Sequence, residues 1–389
     1  MENHYDLIIA GAGPIGLAAA ILAGRNHLKT LVIEKAAIPS PDPRGETLHY
    51  HPILGELIGE ETMRGMSHYE TAGRLFHSPK IEKEMEKQSS TPSLVFEWRD
   101  FIDALFEEAK KANCEFKFNE EVLGPIFSEE SGACIGVHTS NGRYHATTTF
   151  IVTGAESSPG RALGVHGPDL ISPTVKCVVS NIQNTYEGFE YFFISPHQFP
   201  EFEGHPGGVL FIFPRGNQNA EIGMMLFTDL EEDVWSTETV STEQIQALWD
   251  HLKHSYGLFA ERLQGTRIEY EKVTGIPMKQ LVTPTMPRPG VVLLGDAAGF
   301  VEISGGSGLV AGMEAAQFWV QYLSTHSNSW TEEHKEYANK EFEQTKVFKH
   351  IKKVYALVGR ARGWIFKKLR TPEKINKRWW LISFLYKLM

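Results

Sequence analysis

Two glycine-bearing segments, separated by most of a 389-residue chain, carry the residue types and spacing needed to grip a large phosphate-bearing ligand from both ends. In the first, GAGPIG, Gly11 permits a tight turn, Gly13 lets backbone N–H groups approach a pyrophosphate, and Gly16 lets a helix opened by Pro14 pack closely on the preceding strand. Glu34 follows at the spacing of about 20 residues at which a carboxylate reaches a ribose hydroxyl. It favours a free ribose, because a carboxylate repels a 2′-phosphate. In the second segment, GDAAGFVEISGGSGL, Gly295 and Asp296 end an apolar run, and Gly308 and Leu309 open a helix. Asp296 suits a ligand hydroxyl, and the helix start offers unpaired donors and partial positive charge. Between them stands Glu302, an acid among glycines and apolar residues. If buried, its carboxyl would have a raised pKa and could take a proton from a substrate or give one. A solvent-facing loop acid is the alternative.

These residues need elements to hold them. YDLIIA (5–10) reads as a buried strand, LAAAILAGRN as the helix after the turn, and KTLVIEK (29–35) as a second parallel strand ending beside Glu34. FEWRDFIDALFEEAKKA (96–112) has apolar residues at helical spacing and carries Arg99 near its start, while CEFKFNEEV alternates as a strand. The strand order continues through 133–138 and 148–153, with room for a small antiparallel crossover layer. From about 173 to 270 the runs KCVVSNI, FEYFFIS, GGVLFIFP and AEIGMMLF, broken by turn residues, predict a sheet-based second domain. A helix over 242–263 precedes the return of a parallel strand, PGVVLL, into Gly295 and Asp296. The polar loop PDPRGETLHYH carries Arg44, whose guanidinium suits a pyrophosphate if the loop folds back over the ligand, and His49, a candidate to face the ligand's ring. A solvated loop is the alternative for both.

At 42% hydrophobic and 22% charged residues, the chain is long enough for two domains and a tail. Cys114, Cys134 and Cys177 are odd in number and widely spaced, which argues against a disulfide framework or a zinc site, so no metal is expected and the expected compartment is the reducing cytoplasm. The amino terminus runs straight into a strand and reads as neither signal peptide nor anchor. The net charge of -10 is unevenly spread: residues 346–389 hold 13 Lys or Arg against one acid, Glu373, which sets that tail at +12 and the remainder at -22. Lys and Arg interleave there with Trp364, Trp379 and Trp380, a composition suited to a membrane surface, to an acidic partner or to packing on the protein's own body. Nucleic acid is not an expected partner, given the acidic remainder.

Together, GAGPIG with Glu34, Arg99 at the head of its helix, VTGAESSPGR and GDAAGF resemble the flavoprotein family built on the para-hydroxybenzoate hydroxylase fold, which takes in aromatic hydroxylases, geranylgeranyl reductases and flavin-dependent halogenases. The resemblance covers about 6–323. It implies an α/β chain, α+β overall: a Rossmann-like FAD-binding domain (1–75, 95–172, 275–325), an inserted β-sheet substrate domain (76–94, 173–274) and a C-terminal helical tail (326–389). It implies FAD, with the ADP held by Gly11, Gly13, Gly16 and Glu34, the pyrophosphate and ribityl by Arg44, Arg99 and Asp296, the ring near Gly308 and Leu309, and Pro14, Lys35 and Val122 as further cofactor contacts. Phe211, Phe213 and His49 are the expected substrate contacts.

Within that family the subgroup is mixed. Thr153 stands where the hydroxylases carry Asp before Gly154. PGGVLFIFP resembles the reductase pattern, with Val209 and Phe211 in place of its Tyr and Trp and Met225 in place of its final Gly. Glu302 falls on the position of the halogenase catalytic Glu, yet the halogenase tryptophans are missing. The leading expectation is a monooxygenase moving one oxygen from a flavin hydroperoxide to an aromatic or extended apolar substrate, which a partner protein presents in one version. An FAD reductase of isoprenoid lipid double bonds is the alternative, and a halogenase-like enzyme the second. Electrons would come from NAD(P)H or from a separate reductase.

Overall fold

The computed structural model describes residues 4–41, 45–155, 157–165, 170–183, 185–227, 240–279, 281–300, 308–326, 330–362 and 369–388. In chain order the strands are β1 (His4–Ala10), β2 (Thr30–Ile33), β3 (Gly45–His49), β4 (Tyr69–His77), β5 (Glu84–Glu97), β6 (Glu115–Lys117), β7 (Val122–Phe127), β8 (Cys134–Thr139), β9 (Arg143–Ile151), β10 (Leu170–Ser180), β11 (Phe189–Ile194), β12 (Gly208–Pro214), β13 (Ala220–Leu226), β14 (Arg267–Met278) and β15 (Val291–Leu293). The helices are α1 (Pro14–Arg25), α2 (Pro52–Ile58), α3 (Glu60–Met66), α4 (Trp98–Lys111), α5 (Ser158–Arg161), α6 (Thr242–Ser255), α7 (Gly257–Arg262), α8 (Leu309–Thr325), α9 (Glu332–Gln344), α10 (Lys346–Arg362), α11 (Pro372–Lys377) and α12 (Trp379–Leu388).

β1 and β2 are continuous apolar runs because both of their faces are covered, as parallel strands require. They stand in the parallel order β6-β2-β1-β9-β15. β9 is long enough to pair twice along one edge: Arg143 to His145 run antiparallel to β8, and Thr149 to Ile151 run parallel to β15. β7 and β8 thus form the antiparallel crossover layer. On one face α1 lies between α4 and α8 in a single large core, which is why α1 is apolar almost all round. The amphipathic α4 buries Trp98, Phe101, Ile102, Leu105 and Ala109 into the same core.

The second sheet has eight strands in the order β14-β10-β13-β12-β11-β4-β5-β3. Strand alternation splits its side chains between two covers. Val175, Cys177, Leu210, Ile212, Ile222 and Met224 pack against α6 and α7 through Leu248, Trp249, Leu252 and Phe259. Phe76, Met85, Phe193, Val209 and Met225 face the opposite way, against Leu369, Ile375, Trp379 and Ile382 of the tail. The tail therefore divides: Val347, Phe348 and Ile351 of α10 enter the first core, while α11 and α12 cover the second sheet.

Two features depart from the sequence expectations. β3 and β4 belong to the second sheet, although 1–75 reads as cofactor domain, because both pair with the long β5. The helix expected over 242–263 breaks into α6 and α7 at Gly257, whose φ of +45° ends the first. Among the described residues, no helix is long and apolar enough to cross a membrane.

The turn entering β12 rests on His205, which is fully buried. Its Nε2 accepts from the Phe199 N–H at 3.0 Å, so Nδ1 carries the proton and donates to Pro206 O at 3.0 Å. Burial pushes the imidazole from 6.5 down to about 4. The unfolded chain takes up that proton near 6.5 and the native one only near 4, so the stabilisation is complete above pH 6.5 and fades as pH falls towards 4. His205→Gln is expected to lower stability by roughly 1–3 kcal/mol at neutral pH. In thermal melts, the gap from the unaltered chain should narrow steadily between pH 6.5 and 4.

Candidate functional site

β1 delivers the chain into the Gly11 turn, where φ is +107° and a Cβ would meet the Val152 carbonyl oxygen at 2.7 Å. A Cβ on Gly16 would collide with the Gly11 carbonyl. Gly13, by contrast, caps α1 in extended backbone, and among the described residues beyond its own neighbours no atom lies within 4 Å of where a Cβ would stand. The first and third glycines are thus demanded by the fold itself, and the second leaves a cradle open at a helix amino terminus with no acid in its first turn. Glu34 leaves the end of β2 and turns back to this loop: its Oε2 accepts from the Ala12 N–H at 2.7 Å and its Oε1 from the Ala36 N–H at 2.9 Å. Each oxygen keeps a second lone pair for a ligand hydroxyl. Lys35 is exposed directly after it, and Val122 is buried with Ala10 and Ile33 beside the same strand ends.

The two glycine segments meet through one side chain. Ile15 of α1 lies where a Cβ on Gly295 would come within 3.2 Å of it, and where one on Gly312 of α8 would come within 2.6 Å. Gly295, at φ +59°, turns β15 into a single 3₁₀ turn, in which Asp296 is the only exposed residue of the buried run 291–300. Gly308 caps α8, a 17-residue helix whose first turn, starting at Leu309, holds no acid.

Arg99 stands at the start of α4. Its Nη1 donates to Pro39 O at 2.9 Å and its Nη2 lies 2.7 Å from Asp103 Oδ1, while its buried Nε has no hydrogen-bond partner. Trp98 Nε1 donates to Ser40 Oγ at 3.0 Å, so the head of α4 holds the 39–40 stretch. Thr153 follows β9 against the Gly11 turn and donates to Ser157 Oγ at 2.6 Å, which in turn caps α5 by accepting from the Gly160 N–H. The position that carries Asp in the hydroxylases here serves a local helix cap. Arg44 and Glu302 lie outside the described residues, and of His49 only the strand backbone is described, paired with Ser93.

Two residues near this site carried no sequence signal of their own. The Tyr355 hydroxyl of α10 donates to the Gly299 carbonyl, with the Lys279 carbonyl 3.2 Å away as the other acceptor in reach. Lys279 is itself buried. Only the position of Tyr355 four residues after Ile351, on the same helix face, hinted that it points inward.

On the second sheet, Phe211 and Phe213 stack at 4.6 Å between ring centroids, with Tyr191 against Phe213 at 5.5 Å and Phe189 against it at 4.9 Å. The register sets one row across six strands on the face away from α6: Lys272, Lys176, Gly223, Phe211, Tyr191 and Phe76. Residues directly paired across strands share a face, and strands lie about 4.8 Å apart, so the row is some ~24 Å long. It carries two ammonium groups at one end and aromatic rings at the other.

An FAD binding domain profile matches residues 4–338. A digeranylgeranylglycerophospholipid reductase of Methanococcoides burtonii is 24% identical over 328 residues, covering 82% of this chain and 74% of that protein. Among solved structures, a geranylgeranyl bacteriochlorophyll reductase-like protein from Thermoplasma acidophilum superposes with a TM-score of 0.72 at 20% identity, covering 97% of this chain and 96% of that one. A triple mutant of the flavin-dependent brominase Bmp2 gives a TM-score of 0.70 at 17% identity, covering 98% and 94%. These likenesses share the fold assembled above.

The open cradle at Gly13, the unpartnered Arg99 Nε and the acid-free start of α8 fit a dinucleotide with an attached ring. Gly13→Val is expected to leave the apoprotein's melting temperature unchanged while weakening FAD binding by at least about tenfold, roughly 1.4 kcal/mol. Gly16→Val should instead lower the melting temperature with or without FAD. Melting curves and flavin titrations on the two variants separate the ligand's requirement from the fold's.

Proposed function

The chain belongs to the FAD binding domain family and is an FAD-dependent oxidoreductase, and on that premise we propose that it reduces double bonds of an extended isoprenoid-type lipid carrying an anionic head. The observation that carries this reading is the amphipathic row on the second sheet: Lys272 and Lys176 at one end, then Gly223 under the Phe211 ring, then Tyr191, beside the patch around Phe76 that α11 and α12 cover. Like charges directly opposed across an antiparallel pair are unfavourable by themselves. An anionic headgroup laid against them reverses the sign of that interaction, and a long apolar chain finds the aromatic surface beside it. The activity for which the Methanococcoides relative is named supports the same chemistry and ranks it above the oxygen transfer expected first from the sequence.

FAD held at the Gly13 cradle would, once reduced, provide the hydride for one carbon of the double bond. The chain's own tasks are to orient that carbon, exclude water and give the other carbon a proton. Phe211, Phe213 and Tyr191 line the apolar side of the substrate face and exclude water there. Glu302 is the acid proposed for the proton, on the ground of its sequence position. NAD(P)H or a separate reductase is the proposed source of electrons.

Incubating reduced enzyme anaerobically with an unsaturated isoprenoid phospholipid tests the reading: mass gains of two hydrogens per double bond are expected, whereas no saturation, with an oxygenated product formed only in air, would restore the monooxygenase. Lys176→Glu is expected to raise KM for the phospholipid about tenfold, a loss of roughly 1.4 kcal/mol, and to leave an uncharged isoprenoid alcohol nearly unaffected. Phe211→Ala should raise KM for both.

A further inference from the structure

We propose that the outward faces of α10, α11 and α12 form a docking surface for an anionic lipid bilayer. Each of these helices has an inward face already committed to the protein. In α10, Val347, Phe348 and Ile351 are buried in the first core. In α11 and α12, Ile375, Trp379 and Ile382 are buried against the second sheet. The opposite faces of α10 and α11 are basic. Lys346, Lys349, His350 and Lys353 recur at i, i+3, i+4 and i+7 and are all exposed, which puts them on one side of α10. Lys374, Lys377 and Arg378 are exposed on α11 and just after it, followed by Trp380 at 70% exposure, the most exposed large apolar residue among those described. The single acid of residues 346–389, Glu373, is 3.1 Å from Lys80 and so adds little negative charge to this surface.

Charge complementarity selects the occupant. A tail of +12 on a body of -22 is drawn tail-first to a negative plane, which attracts the tail while the body remains outside the screening length. A polyanion that wraps the protein meets the acidic body instead. Trp380 beside Arg378 has the amphipathic composition that settles at headgroup depth.

The surface also connects to the substrate face. Trp379, the residue before the exposed Trp380, is buried, with its ring 5.7 Å from that of Phe193. Its indole Nε1–H has no hydrogen-bond partner. Phe193 lies on the same face of β11 as Tyr191. Two consecutive tryptophans therefore join a lipid-facing exterior to the wall along which the substrate is proposed to lie. This link rests on the lipid-reductase reading; the docking itself does not.

The test is co-sedimentation of the full FAD-loaded chain with phosphatidylcholine vesicles, with and without phosphatidylglycerol. Binding only to the anionic vesicles, released by salt, is the expected result. Lys349→Glu with Lys353→Glu should weaken it at least about tenfold, with flavin content and melting temperature unchanged; Trp380→Ala should weaken it and remove part of the fluorescence blue shift on binding. Equal binding to neutral vesicles, no binding, or binding indifferent to the charge reversal overturns the proposal. Reduction of detergent-dispersed lipid, measured on the same samples, keeps the two readings apart. Lost sedimentation with dispersed lipid still saturated sinks the docking alone, and intact docking with no lipid saturated leaves the docking standing and sinks the reductase reading.

Discussion

The site is organised by how closely α1 approaches what surrounds it. The helix must come within contact of the turn that precedes it and of the segment that returns some 280 residues later, and both approaches are possible only where side chains are missing. Gly16 faces the Gly11 carbonyl, and Gly295 and Gly312 leave room for Ile15. Side chains at these positions would push α1 away from β1 or from α8. Packed interiors have little slack, and an overpacked contact costs about 1–3 kcal/mol or shifts the backbone. Gly13 stands apart because none of the described residues occupies the space in front of it. The same helix thus has glycines imposed by packing and a glycine that only a ligand would require.

That distinction explains which parts of the site could be read from sequence. GAGPIG with Glu34 was legible because its chemistry is local: strand, turn, helix and second strand lie within 35 residues, and the carboxylate reaches the turn through Ala12. The pairing of this segment with GDAAGF was legible as composition, though not as contact, since nothing in the order of residues announces that Ile15 fills the gap between Gly295 and Gly312. β3 and β4 were misassigned for a related reason. Residues 45–49 read as part of a polar loop and 69–77 carry no strand expectation; both become strands by pairing with β5, which offers a partner only once the chain has folded back. Tyr355 was invisible because its partners are carbonyl groups, which every residue has.

The tail resolves a choice that composition left open. A basic helix rich in aromatics can pack on its own body or present itself to another surface, and here alternation around the helix allows both. Trp379 is buried where Val209 and Met225 oppose each other, two positions at which the reductase pattern carries Tyr and Gly. The cover over this patch comes from the far end of the chain. A half-matched motif on one strand is therefore compatible with a packed patch at Val209 and Met225, because the cover of that patch is part of the same structure.

The opposed lysines of β10 and β14 show how a weak interaction can be informative. Solvent keeps the cost of Lys176 facing Lys272 to a few tenths of a kcal/mol up to about 1 kcal/mol, so stability alone exerts little pressure to remove it. Lysines on an edge strand also discourage sheet-to-sheet association, and β14 is such an edge. That role, however, requires only β14 to be charged. Lys176 lies one strand inward, half-buried, next to Gly223 and the ring that covers it. Edge protection accounts for Lys272 and leaves Lys176 without a reason, whereas a headgroup resting across both strands accounts for the pair and for the direction in which the row turns from charged to aromatic.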